Sequence, residues 1–157
     1  MQTTIRKAKK EDVARIKKLD YFDEILKKCS PLDKLDTKYK PKKGEKDYYE
    51  KFVSGRNKWC YVAEDRKKLV GFVTFNLEKR DLWWKVKKVG YIDLIVIDKK
   101  YCGKGISKLL LNKVYQIFKE KKLDYIKLSV QKDNPKAHKI WTKQGFKDFK
   151  IDMYKKI

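Results

Sequence analysis

The chain of 157 residues contains one histidine, three cysteines, three prolines and seven glycines, and no apolar run that approaches a bilayer span. Each shortage closes off a class of function. A membrane crossing needs roughly 18–20 apolar residues in succession, so none is expected. The opening MQTTIRKAKKEDVARIKKLD is basic but lacks the apolar stretch of a secretory leader, and a cytoplasmic setting is expected. Cys29, Cys60 and Cys102 are odd in number, widely spaced and without a CxxC pair. That pattern argues against a disulfide framework and, with His138 as the lone imidazole, against a zinc site; no metal is expected. A Ser-His-Asp or Cys-His relay would have to run through His138, which makes triad hydrolysis improbable.

Positive charge is what the chain has in excess. Forty-three Lys and Arg oppose 21 Asp and Glu, a formal net charge of +22. Such a surface attracts polyanions at low salt whatever else the protein does. Hydrophobic residues at 41% and aromatics at 13% still supply a real core. At this length one domain over residues 1–157 is expected, as a monomer or homodimer.

The hydrophobic pattern predicts the elements in order. Thr3–Lys7 reads as a strand, and Val13, Ile16 and Leu19 recur at helical spacing, with Ile25 in a continuation or a second helix. Leu32–Lys46 is a Lys- and Asp-rich loop. Asp47–Ser54 is a short helix presenting Tyr48, Tyr49 and Phe52. Lys58–Glu64 and Leu69–Leu77 form a hairpin, and Lys85–Asp98 is a further strand in which Gly90 marks a bend or bulge. An amphipathic helix follows over Lys104–Lys121, then a strand over Leu123–Val130. Asn134-Pro135 opens a last helix that ends at Gly145, and Lys150–Lys156 is a final strand. The order predicts an α+β fold with a mixed, mostly antiparallel sheet; only the crossover from Tyr91 to Val130 makes a parallel pair.

The segment Tyr91–Leu111, YIDLIVIDKKYCGKGISKLLL, carries the most chemistry. A buried strand runs into a glycine-containing turn that opens a helix, and the unpaired N–H groups of a helix start suit a phosphate or pyrophosphate. Gly103 and Gly105 let the backbone approach such an anion closely. The turn is neither a Walker A loop nor a GxGxxG dinucleotide loop.

Cys102-Gly103-Lys104-Gly105-Ile106-Ser107, placed after the strand IDLIVI, resembles the acetyl-CoA loop of the GNAT (GCN5-related N-acetyltransferase) superfamily, which reads R-G-x-G-[IV]-G there. Asn134-Pro135-Lys136-Ala137 through Trp141 to Gly145-Phe146 resembles the family's N-x-x-A-x-x-x-[YF]-x-x-x-G-F segment. With the opening IRKAKKEDVARI, the likeness covers nearly the whole chain. It implies a three-layer α/β/α fold with a splayed parallel strand pair, and transfer of an acetyl group from acetyl-CoA to a primary amine. The acceptor would be a small molecule or a protein or peptide amine, attacking directly in a ternary complex.

By position, the resemblance implies that Cys102, Gly103, Lys104, Gly105, Ile106 and Ser107 hold the pyrophosphate through their amides. Ile95, Val96 and Ile97 would offer strand backbone to the pantetheine arm, and Asn134, Ala137 and Trp141 would lie beside it. Cys102 departs from the usual Arg or Gln, and Ser107 from a small Gly or Ala. Trp141 stands where members often carry a proposed acid, Tyr, and an indole N–H cannot usefully give up a proton. A thiol leaving group of pKa about 8.5 needs only modest acid help, whereas an amine near 10.4 must lose a proton to a base or water chain. Asp93, where members often carry a carboxylate, is the candidate base, and Tyr154 a candidate acid. Trp83-Trp84 and an acidic mouth of Asp20, Asp23 and Glu24 are candidates for the acceptor side. The competing readings are a CoA-binding domain without turnover and a nucleic-acid-associated basic protein.

Overall fold

In a computed structural model, residues 2–21, 31–34, 36, 38–40 and 42–157 are described. The expectations attached to Asp23, Glu24, Ile25 and Cys29 lie outside them. β1 (Thr3–Lys7), β2 (Lys58–Asp65), β3 (Lys68–Lys79), β4 (Lys88–Ile97) and β5 (Ile126–Lys127) form one sheet in chain order. The first four strands pair antiparallel, and β4 pairs with β5 in parallel. α1 (Val13–Leu19) and α2 (Tyr48–Ser54) precede the hairpin, α3 (Ile106–Glu120) crosses from β4 to β5, and α4 (Pro135–Lys143) follows. Among the described residues, no helix is long and apolar enough to cross a membrane.

Two cores sandwich the sheet, as an α/β/α arrangement requires. Ile16 of α1 and Phe52 of α2 pack with Cys60, Val62, Leu69, Phe72 and Val96 on one face. On the other, Ile106, Leu110, Val114 and Phe118 of α3 pack with Val70, Val73, Phe75 and Ile92. β3 is central and covered on both sides, which is why LVGFVTF is an unbroken buried run instead of an alternating one.

Local chemistry explains the element ends. Asp47 caps α2 by accepting the Glu50 amide at 3.0 Å, and Glu50 returns the bond to the Asp47 amide at 3.0 Å. Asn134 caps α4 through the Ala137 amide at 3.1 Å, with Pro135 at the first position. Gly145 follows α4 at φ +90°, a left-handed stop.

Three expectations are corrected. The strand predicted over Leu123–Val130 contracts to Ile126–Lys127, because β4 and β5 pair only at Gly90↔Ile126 and Tyr91↔Lys127. The strand predicted over Lys150–Lys156 is absent; its alternating Ile151 and Met153 are exposed, since a two-residue β5 gives a further strand almost no ladder to join. Gly90 is not a bulge, for it pairs in register with Leu77. A Cβ there would come within 2.5 Å of the Phe118 ring, so the missing side chain makes room for α3. The bulge lies three residues further on, at Asp93, where the register passes from Phe75↔Ile92 to Thr74↔Leu94.

Candidate acetyl-transfer site

The bulge reorients β4. Ile92, Ile95 and Ile97 pack on the α3 side, whereas Leu94 and Val96 pack on the α1–α2 side. One extra residue therefore places Asp93 and Leu94 consecutively on the α2 face. Beyond Tyr91, β4 keeps β3 on one side and, among the described residues, has no paired strand on the other. The Asp98 amide donates to the Val70 carbonyl at 2.9 Å. Counting back by twos, Val96 and Leu94 face β3, so the amides and carbonyls of Ile95 and Ile97 point to the open side. Among the described residues the parallel pair splays beyond Tyr91, and the backbone exposed there belongs to Ile95 and Ile97, two of the three residues named for this edge. Val96 is a core residue with its peptide groups turned into the sheet. The Tyr21 hydroxyl lies 3.4 Å from the Ile97 carbonyl at this edge.

The strand then enters the glycine turn. Asp98 accepts the Lys100 amide at 2.9 Å and pairs with Lys68 at 3.1 Å; these two donors hold its carboxyl below the usual carboxylate range. A 3-10 turn, Lys99–Tyr101, leads to Cys102, and the Tyr101 ring lies under the ammonium groups of Lys104 at 4.7 Å and Lys68 at 5.2 Å. Gly103 and Gly105 adopt φ +78° and +79°, which side-chain-bearing residues adopt only under strain. A Cβ at either would meet nothing within 4 Å, so the space over the turn is open. Gly105 is the cap of α3 and its carbonyl takes the Leu109 amide at 3.2 Å. The amides of Ile106, Ser107 and Lys108 precede the first helical bond, and they carry the positive end of a 15-residue helix dipole. Ile106 can offer only its amide, since its side chain is core. These features fit an anionic pyrophosphate group.

The remaining predicted residues fall differently. Asn134 and Ala137 meet each other in the α4 cap, which engages the Asn134 carbonyl oxygen. The Trp141 ring packs edge-to-face on Phe146, 5.2 Å between centroids, against the α3-side core. Tyr154 is exposed on the segment without regular structure and is not brought to the bulge. Asp20 accepts from the Tyr49 hydroxyl. Trp83 and Trp84 are exposed between β3 and β4, with the Arg80 guanidinium 4.7 Å from the Trp84 ring. His138 lies on the surface, 2.7 Å from Asp148.

Asp93 has a partner that sequence reasoning missed. The Tyr48 hydroxyl donates to its Oδ2 at 2.5 Å and lies 2.9 Å from Thr74 Oγ1. Burial first, then the Asp93 carboxylate, raise the Tyr48 phenol well above its ordinary value. The only sequence signal was the capped start of α2, which fixes where Tyr48 stands but not what it meets.

The mixed α/β/α sheet thus opens beside a glycine turn and a helix start that suit an anionic group. The acetyltransferase (GNAT) family model matches residues 19–146, and the chain belongs to that family. It is 27% identical over 154 residues to an uncharacterized N-acetyltransferase of Methanocaldococcus jannaschii, covering 94% of this chain and 62% of the relative. It is 29% identical over 98 residues to N-alpha-acetyltransferase 30 of Xenopus laevis, covering 62% of this chain and 35% of that protein. The chain thus spans less than two thirds of either curated relative. Its fold is shared with the tetramutant BH1408 protein of Bacillus halodurans, at TM-score 0.80 and 20% identity, covering 98% of this chain and 99% of that one. A predicted acetyltransferase of Clostridium acetobutylicum, solved with acetyl-CoA, matches at TM-score 0.73 and 18% identity, covering 99% and 96%.

Proposed function

We propose that this chain, acting as one domain, transfers an acetyl group from acetyl-CoA to a primary amine by direct attack in a ternary complex. The observation that carries the reading is the Cys102–Ser107 turn, with two left-handed glycines opening α3 beside the free edge of β4. The amides from Cys102 to Ser107 receive the pyrophosphate, and Lys104 adds charge in place of the arginine that Cys102 lacks. The outward peptide groups of Ile95 and Ile97 align the pantetheine arm along β4, with the Asn134 side-chain NH2, which donates no hydrogen bond among the described residues, beside it. When bound, acetyl-CoA supplies the thioester carbonyl. The new N–C bond forms as the C–S bond breaks, the sulfur leaves as thiolate or thiol, and one amine proton has to be removed. Asp93 receives that proton directly or through water. A leaving thiol of pKa about 8.5 does not require Trp141 or Tyr154 as acid.

The acceptor tested first is a peptide α-amine. Its pKa, near 7.7–8.0, leaves part of it neutral at physiological pH, whereas a lysine near 10.4 is almost wholly charged. The name of the Xenopus relative points the same way. A +22 surface also disfavours capture of polyamines or lysine-rich tails.

Thermal unfolding with CoA, acetyl-CoA and ATP at low and moderate salt tests the reading. Ligand at about 100 times its Kd adds roughly 2.7 kcal/mol, a shift of several degrees. A shift with both CoA forms that survives salt and exceeds that of ATP supports it. Equal shifts for every polyanion, vanishing with salt, favour the second reading, a basic nucleic-acid-associated protein. The exposed Leu82-Trp83-Trp84 tip flanked by Arg80, Lys85 and Lys87 is the observation behind that alternative.

A further inference from the structure

Thr74 is a polar residue at the middle of the most buried strand, with no exposed surface. Its neighbours Val73 and Phe75 are apolar and equally buried, so packing alone would favour valine there. Its hydroxyl has two partners: the Tyr48 hydroxyl at 2.9 Å, and the Leu94 carbonyl at 3.5 Å, at the limit of bonding. Tyr48 has one proton, and the carboxylate of Asp93 takes it at 2.5 Å. The single Thr74 proton then has two acceptors within reach, and the Tyr48 oxygen at 2.9 Å is nearer than the Leu94 carbonyl at 3.5 Å. The result is a directed chain, Thr74 to Tyr48 to Asp93, running from the core to the bulge residue of β4.

The chain joins three elements that nothing local connects. Tyr48 comes from the first turn of α2, where the Asp47–Glu50 capping box fixes the backbone. Its ring is held edge-on to Tyr49 at 4.9 Å and against Phe52 at 4.9 Å. Thr74 comes from β3, directly opposite Leu94, where the bulge shifts the register. Although 39% of Tyr48 remains exposed, its hydroxyl is engaged by Thr74 and Asp93. Asp93 is thus engaged on Oδ2, and among the described residues its Oδ1 takes no hydrogen bond.

We infer that Tyr48, held by the buried Thr74 hydroxyl, is a positioning residue for Asp93, fixing its carboxylate so that Oδ1 faces the acceptor amine. This rests on the transferase reading above, in which Asp93 receives the amine proton. Tyr48 touches neither the thioester nor the amine and acts through Asp93. A bulge residue has no cross-strand partner to hold it, so an anchor from outside the ladder is what makes its direction reproducible.

Turnover of acetyl-CoA with a tetrapeptide bearing a free α-amine tests this in Tyr48→Phe, Asp93→Asn, the double variant, Thr74→Val and Thr74→Ser. A hydrogen bond to a charged group is a tenfold to hundredfold effect, so Tyr48→Phe is expected to lower kcat by about that factor with KM for acetyl-CoA unchanged. In the Asp93→Asn background the same change should do almost nothing. Thr74→Val should fall between wild type and Tyr48→Phe, and Thr74→Ser should restore activity. Equal losses from Tyr48→Phe in both backgrounds would overturn the inference, because a merely structural tyrosine matters whether or not the carboxylate is there. Proton NMR gives a readout that needs no turnover. A downfield Tyr48 hydroxyl resonance should be present in wild type and Thr74→Ser and lost in Asp93→Asn. Its persistence in Asp93→Asn would refute the chain itself. If the resonance behaves as expected and the protein binds CoA yet acetylates no amine in a broad panel, the transferase reading fails, and the role assigned to Tyr48 goes with it.

Discussion

Replacing Asp12 by asparagine should weaken the fold by an amount that depends on pH in a defined way. Asp12 is nearly buried, its side chain only 5% exposed, and it sits between two arginines. Arg6 donates to both of its oxygens at 2.6 and 2.9 Å and continues to Glu64 at 2.7 and 3.0 Å. Arg15 closes the cluster on Glu64 at 3.1 Å and on Asp12 at 3.4 Å. These donors, Arg6 above all, hold the Asp12 carboxyl at about 2 against an ordinary 3.8. At about 1.4 kcal/mol per unit, the depression corresponds to roughly 2 kcal/mol of folding stability. The folded value lies below the unfolded one, so this stability is complete above about pH 5 and is lost as the pH falls toward 2. Asparagine keeps the volume and can still accept the Lys9 amide that Asp12 accepts at 2.8 Å, so the substitution isolates the charge. Urea unfolding of wild type and variant at pH 7, 5, 4, 3 and 2.5 measures the difference. It should be about 2 kcal/mol at neutral pH and shrink below pH 4. Subtracting the two proteins removes the self-repulsion of a strongly cationic chain, which acid worsens in both. A gap that stays constant from pH 7 to 2.5 would mean that packing, and not the ion pairs, carries the cost.

Gly90→Ala should destabilise by about 1–3 kcal/mol in the same urea assay, because its Cβ meets the buried Phe118 ring at 2.5–2.7 Å; a neutral result would show that α3 can shift. Gly105→Asp should abolish the CoA-dependent rise in Tm by setting a carboxylate against the pyrophosphate. The left-handed φ of +79° adds a strain of about 1–2 kcal/mol, and an unchanged CoA affinity would dismiss the turn as the cofactor site. In a Cys29→Ser background, Cys102 should react with a thiol reagent at pH 8 in the folded protein and be protected by CoA. Cys60, fully buried with its thiol pushed up to about 12 by burial, should react only on unfolding. Cys102 labelling that ignores saturating CoA would argue against contact with the turn.

What the chain order settles by itself is local. Helix caps at Asp47 and Asn134, the left-handed stop at Gly145, the apolar stripe of α3 and the Gly103–Gly105 turn are all written in residues within a turn of one another. Their hydrogen bonds and backbone angles need no distant partner, which is why they were legible. The family match over residues 19–146 spans these same segments. The final strand failed for the opposite reason: alternation at Ile151 and Met153 names a face, and only a neighbouring ladder can make it a strand. Gly90 was misread because a glycine needed for the approach of Phe118 looks, in sequence, like one needed for a bend. The Asp93 bulge and its anchor belong wholly to the tertiary structure. The bulge exists only as a mismatch of register between β3 and β4, and Tyr48 reaches it across 45 residues of chain because α2 packs over that face.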